Sequence, residues 1–174
     1  MQIETKKVSG VSVALLLTLL VSATAWTAES AKKEHAELAK AMTGAKVSLA
    51  QALTASAGEG KPISAKFEVE DGKLQLSVYT ETDGQFKEVI VDHRTGKVIK
   101  AEAITEGEDL AAAKSQSAAL ARAKGSLGDA VAKAVAKHPG HQAVSATPAL
   151  KGGPVVEVTM HKAGSWKTVT EKLD

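Results

Sequence analysis

Hydrophobic positions along this chain change period from helical to alternating, and they do so twice. From Glu29 to Met42 the apolar stripe His35, Leu38, Ala39 and Met42 falls at i, i+3, i+4 and i+7, the spacing of one helix face. Gly44 breaks it. Ser48-Leu49-Ala50-Gln51 then has the form of a capping box, in which the Ser hydroxyl and the Gln side chain satisfy amides left unpaired by the first turn. Leu49, Ala52 and Leu53 supply the buried face of this second helix, and the two Gly and one Pro between Ala55 and Pro62 end it. Alternation takes over at Ile63, Ala65, Phe67 and Val69, continues through Leu74, Leu76 and Val78, and resumes from Phe86 to Val91. Asp71-Gly72 and Asp83-Gly84 separate these runs, and such pairs favour the type I′ hairpin turn because both central residues need positive φ. The turn Arg94-Thr95-Gly96-Lys97 leads to a short strand from Val98 to about Glu102. The sum is a helical segment followed by a four-stranded antiparallel meander.

The same order restarts after the acidic stretch 105–109, which reads as a linker. Leu110, Ala113, Leu120 and Ala121 mark an Ala-rich helix, and Ser126-Leu127-Gly128-Asp129 repeats the cap of Ser48 at an offset of 78 residues. His138-Pro139-Gly140-His141 ends the next helix. Val144-Ser145-Ala146 then echoes Ile63-Ser64-Ala65 at 81, Val156, Val158 and Met160 echo Leu74, Leu76 and Val78 at 82, and Gly164, Trp166, Lys167 and Val169 echo Gly84, Phe86, Lys87 and Val89 at 80. The expected fold is α+β, with two repeated modules at 29–104 and 110–174. Each has Ala-rich helices followed by a three- or four-stranded antiparallel sheet. The second is the divergent copy, since it lacks the Thr-Gly-Lys turn and a counterpart of the fourth strand.

Composition adds a compartment. Lys6 and Lys7 precede an apolar run from Val11 to Val21 and then Ala23-Thr24-Ala25, the order of a secretory signal peptide. The run falls short of the roughly 20 apolar residues that span a bilayer, so 1–25 is read as a signal peptide cleaved after Ala25. Glu4 and the Trp26 just past the cut leave an uncleaved anchor as the alternative. Periplasmic or secreted residence follows, with no stable membrane span once the leader is gone. The chain has no Cys, hence no disulfide framework, lipid-modified Cys or thiolate. With 22 Lys and Arg against 20 Asp and Glu, it offers no basic excess for nucleic acid. Aromatic residues make up only 3% of the chain, so the cores must be built from Val, Leu, Ile and Ala.

Three stretches carry a resemblance: Val47-Ser48-Leu49-Ala50-Gln51-Ala52-Leu53, Glu70-Asp71-Gly72-Lys73-Leu74, and Val89-Ile90-Val91-Asp92-His93-Arg94-Thr95-Gly96-Lys97-Val98. Together they resemble the PepSY family, small domains of thermolysin-like metalloprotease propeptides and of many bacterial envelope proteins. The resemblance covers about 46–104. In physical terms its most telling element is turn chemistry, since Asp92 can accept backbone amides and Gly96 can take positive φ. It implies a non-enzymatic protein that binds another protein, with inhibition or regulation of an envelope or secreted protease as the specific expectation. It brings no catalytic motif.

The side chains that carry chemistry agree with that reading. His138, His141 and His161 could converge at one end of the second module, which raises a periplasmic metal or small-ligand binding protein as the alternative. No Cys, no His-Glu-x-x-His pattern and no nearby carboxylate cluster completes such a site, so a helix end and a strand-face His are the expectation, with no metal and no cofactor assigned. His93 beside Asp92 is expected to decorate a turn, and His35 to pack on its helix. Glu68, Glu70 and Asp71 read as a solvated face. Gly152-Gly153-Pro154 lacks the Lys and Ser or Thr of a phosphate loop and reads as a hairpin connection. Phe86 and Trp166, at equivalent positions, are expected in the core. No residue is assigned a catalytic role.

Overall fold

The computed structural model describes residues 22–174, with side chains from Glu29 onward. The signal-peptide reading of 1–25 lies outside the described residues apart from its last four, which begin the first helix. Helices α1 (Ser22–Met42) and α2 (Leu49–Ala55) precede strands β1 (Lys61–Glu70), β2 (Lys73–Thr82), β3 (Gln85–Val91) and β4 (Val98–Ile104). Helices α3 (Gly107–Ala121) and α4 (Leu127–Lys137) precede β5 (Gln142–Leu150), β6 (Pro154–Lys162) and β7 (Ser165–Lys172). Residues up to Glu34 and residues His35–Asp174 form separate units, and the second holds the sheet. Among the described residues no helix is long and apolar enough to cross a membrane.

Local chemistry sets the helix starts. The Gln51 amide donates to Ser48 Oγ at 3.2 Å while the Ser48 amide donates to Gln51 Oε1 at 2.8 Å, completing the capping box. Ser126 Oγ accepts from the Asp129 amide at 3.0 Å and caps α4. Each cap stabilises its helix by about 1 kcal/mol. A second device, invisible in the sequence, anchors the same two points. The His93 carbonyl accepts the amides of Lys46 (2.8 Å) and Val47 (3.0 Å), and the Leu173 carbonyl accepts those of Lys124 (2.8 Å) and Gly125 (3.1 Å). Helix α3 begins inside the stretch that reads as a linker. Glu108 and Asp109 lie in its first turn, where the positive end of the helix dipole favours acidic side chains.

The pattern of the sequence implies one sheet per module, whereas the described residues form a single seven-stranded sheet in the order β4-β3-β2-β1-β5-β6-β7. Its centre is the antiparallel pairing of β1 with β5, where Ala65 faces Ala146 and Lys66 faces Ser145. The reason is edge chemistry. A meander whose first strand has no neighbour presents a row of unpaired amides and carbonyls, and laying β1 against β5 satisfies two such rows at once. The ladder is short because each strand shifts register beside it, between Pro62 and Ser64 and between Ala143 and Ser145, and because Pro148 offers no amide.

Alternation of side chains along the strands then defines two faces. On one, Ala65, Phe67, Leu76, Val78, Val89, Val156, Val158 and Met160 are buried with Leu49, Ala52 and Leu53 of α2 and Leu127, Ala130, Val131 and Ala134 of α4. Fully burying one Val, Leu or Phe side chain contributes roughly 1.5–3 kcal/mol, so this layer supplies most of the stability of an aromatic-poor core. The opposite face carries α3, whose Gln116 Oε1 accepts the hydroxyl hydrogen of Ser64 at 2.6 Å. His35, on the part of α1 within the second unit, reaches the same face at Trp166.

The hairpin turns expose one local flaw. Asp71, Asp83 and Ala163 precede glycines and have φ of 49°, 52° and 46°. Asp tolerates this left-handed region, whereas an alanine there is strained by about 1–2 kcal/mol. Replacing Ala163 with Asn is therefore expected to raise unfolding free energy by about 0.5–1 kcal/mol, read as a higher urea midpoint with unchanged slope. A midpoint unchanged or lowered would show that the β6–β7 turn is not strained.

Candidate functional site

Among the described residues the sheet ends in two open strands, and their surroundings differ. Strand β4 is solvent-exposed along almost its whole length, with Ile99 63% and Val98 37% exposed. Beside it runs a shallow groove lined by Leu74, Ile90 and Ile99 and rimmed by Glu70, Asp71 and Asp92. The turn that feeds β4 is built as the sequence implies. Asp92 Oδ1 accepts the amides of Arg94 and Thr95, each at 2.8 Å, and these bonds hold its carboxyl below the usual carboxylate range. His93 serves this turn through its backbone carbonyl, while its buried Nδ1 has no partner among the described residues. Glu68 pairs with Lys66 at 2.6 Å and accepts from Ser77 Oγ at 3.0 Å, Glu70 and Asp71 are exposed, and Gly152-Gly153-Pro154 joins β5 to β6.

Strand β7, at the other edge, lies in a basic environment. From Arg122 onward Lys and Arg outnumber Asp and Glu by eight to four. Glu157 is bound by Lys151 at 2.7 Å, and Asp129 is engaged by the Ser126 hydroxyl. Glu171 of β7 is buried at 4% exposure, where Lys137 Nζ meets both of its carboxylate oxygens at 2.9 Å and Lys133 Nζ lies at 3.5 Å. These hydrogen bonds and charges outweigh desolvation and depress the Glu171 pKa. At the register of the echo between halves, Glu171 stands where the first half has buried Val91. That pairing was legible only in part: two Lys at i, i+4 on α4 were visible, but not the strand that meets them.

The histidines form two contacts, His35 and His161 at Trp166 and His138 with His141. His35 stacks on the Trp166 indole at 4.2 Å and 14°, and His161 leans against it at 4.8 Å. His138 and His141 meet edge to face at 5.9 Å, and Lys167 Nζ lies 3.3 Å from His138 Nδ1. Desolvation, then Lys167 and His141, lower the His138 pKa; desolvation, then His141 and His35, lower that of His161. His161 Nε2 accepts the Gly164 amide at 2.9 Å, which a neutral ring allows. Among the described residues no group of three or more His, Asp or Glu is arranged to hold a metal ion. Trp166 is half-buried under His35, a contact across 131 positions that no local pattern reveals, whereas Phe86 is buried as expected.

The Glu171 network gives the stability a pH dependence. A carboxyl with a depressed folded pKa contributes stability above its unfolded pKa and loses it as pH falls through the folded value. Glu171→Gln is therefore expected to cost about 1–2 kcal/mol at pH 7, less than a fully buried pair because both lysines are more than half exposed. The difference from the parent chain should shrink as pH drops below 4, as read by urea unfolding. A cost that is independent of pH would remove the ion pair as its cause.

Residues 46–102 match the family model PepSY, described as the peptidase propeptide and YPEB domain. No curated protein and no solved structure matches the chain. The matched segment opens at the amides pinned by His93, passes through the Ser48 capping box and the Asp92 turn, and ends within β4. The motifs that resembled the family are thus the ones that hold the first half together, and residues 46–102 are a PepSY domain.

Proposed function

We propose that this is an exported, non-enzymatic protein that acts by binding another protein, with a peptidase of the cell envelope or the secreted fraction as the partner. The observation that carries this reading is the PepSY match over 46–102, a domain named for peptidase propeptides. Two sheet edges, open among the described residues, are of the kind that bind extended chains by strand addition. The second half, 110–174, is read as a divergent copy of the same module. Support comes from the paired caps at Ser48 and Ser126, the paired carbonyl anchors at His93 and Leu173, and register shifts at corresponding points of β1 and β5. Ala65 facing Ala146, residues equivalent in the echo, gives the two halves an approximate twofold relation at the centre of the sheet.

The test is a titration of the purified chain into thermolysin-like and other peptidases from the same envelope and secreted fractions. A saturable fall in hydrolysis of a peptide substrate, with a complex that co-elutes on gel filtration, is expected for at least one of them. Full activity and no complex across the set would contradict the peptidase reading.

A further inference from the structure

We propose that the open edge of β7 is a docking site for an extended acidic segment of a partner protein, added to the sheet as an eighth antiparallel strand. The inference rests on the protein-binding reading and assigns it a location and a partner chemistry. Its first ground is a template within the same chain. Strand β3, which the echo between halves aligns with β7, already has such a neighbour: β4 pairs with it antiparallel, placing Ile104 opposite Phe86 and the small Ala101 opposite Val89. Phe86 and Val89 correspond to Trp166 and Val169, whereas among the described residues no strand lies beyond β7. An incoming strand is therefore expected to place an apolar residue near Trp166 and a small one opposite Val169.

The second ground is charge. Lys167 on one face of β7 and Lys172 on the other have no carboxylate partner among the described residues, and Lys133 and Lys137 of α4 reach the same strand at Glu171. Glu171 is shared by Lys133 and Lys137 and offsets one of them, Glu157 is held by Lys151 and Asp129 by the Ser126 hydroxyl, and exposed Asp174 lies past the end of β7, so a basic excess remains along the strand. Lysines on an edge strand ordinarily guard against indiscriminate pairing. Here they repel basic strands and the β7 edge of a second copy, and leave acidic strands unopposed. The β4 edge has mixed charge, with Lys100 paired to Glu102 at 2.8 Å, and lacks this selectivity.

The probe is a synthetic peptide carrying the β4 sequence Val98–Ile104 with its lysine changed to glutamate, compared with one in which the glutamate is changed to lysine. The full chain labelled with nitrogen-15 is titrated with each at low and moderate salt. The acidic peptide is expected to shift the amides of 166–172 and to weaken with salt, and the basic peptide to bind at least tenfold more weakly. The double variant K167E/K172E, checked for native amide dispersion, should lose at least tenfold in affinity for the acidic peptide. Equal binding of both peptides, shifts confined to β4, or self-association through β7 without a peptide effect would overturn the proposal. Peptidase inhibition that survives in K167E/K172E alongside such a result would remove the β7 site alone, whereas loss of all complex formation by the parent chain would remove the protein-binding reading itself.

Discussion

Ala65 and Ala146 face each other at the centre of the sheet, and the antiparallel pairing of β1 with β5 around them decides where the rest of the molecule lies. Two short meanders, each with an unpaired first strand, become one sheet whose open edges are pushed out to β4 and β7. Small side chains at the junction let α2 and α4 lie side by side over the joined strands, so that residues from both halves share one core. In a chain with so few aromatic residues, that sharing matters. Neither half alone offers α2 or α4 more than part of an apolar platform, and small separate cores are marginally stable.

Much of this was legible from local pattern. The capping serines Ser48 and Ser126, the Asp-Gly turns and the Asp92 turn act within a few residues, and each forms as its chemistry requires. What remained hidden were contacts without a local signature. The β1–β5 ladder has only two register pairs, both made by small or polar residues that could face many others. The His93 and Leu173 anchors use backbone carbonyls, which no side-chain pattern reports. Glu171 has no local signature because its lysine partners lie on α4, more than thirty positions away. His35 and Trp166 meet only because the sheet brings β7 to α1.

The same architecture links fold to use. A chain that closes its inner edges by pairing β1 with β5 concentrates its unpaired backbone at two outer strands of different character, one exposed and apolar at Ile99 and one framed by lysines at β7. Strand addition at an edge takes affinity from backbone hydrogen bonds and selectivity from the flanking side chains. The PepSY segment supplies the first half of this frame, and the proposed choice of strand at the β7 edge rests on the shortage of acidic residues in the second half.

The central claim, that one sheet and one core span both halves, is tested most directly by native-state hydrogen exchange of the amides in β1 and β5 across a series of low denaturant concentrations. A shared sheet predicts that protected amides of Ala65, Lys66, Ser145 and Ala146 exchange only through global unfolding, with one common free energy and denaturant dependence. Exchange of β5–β7 through a separate, smaller opening while β1–β4 stay protected would show two sheets that merely touch, and would contradict the account.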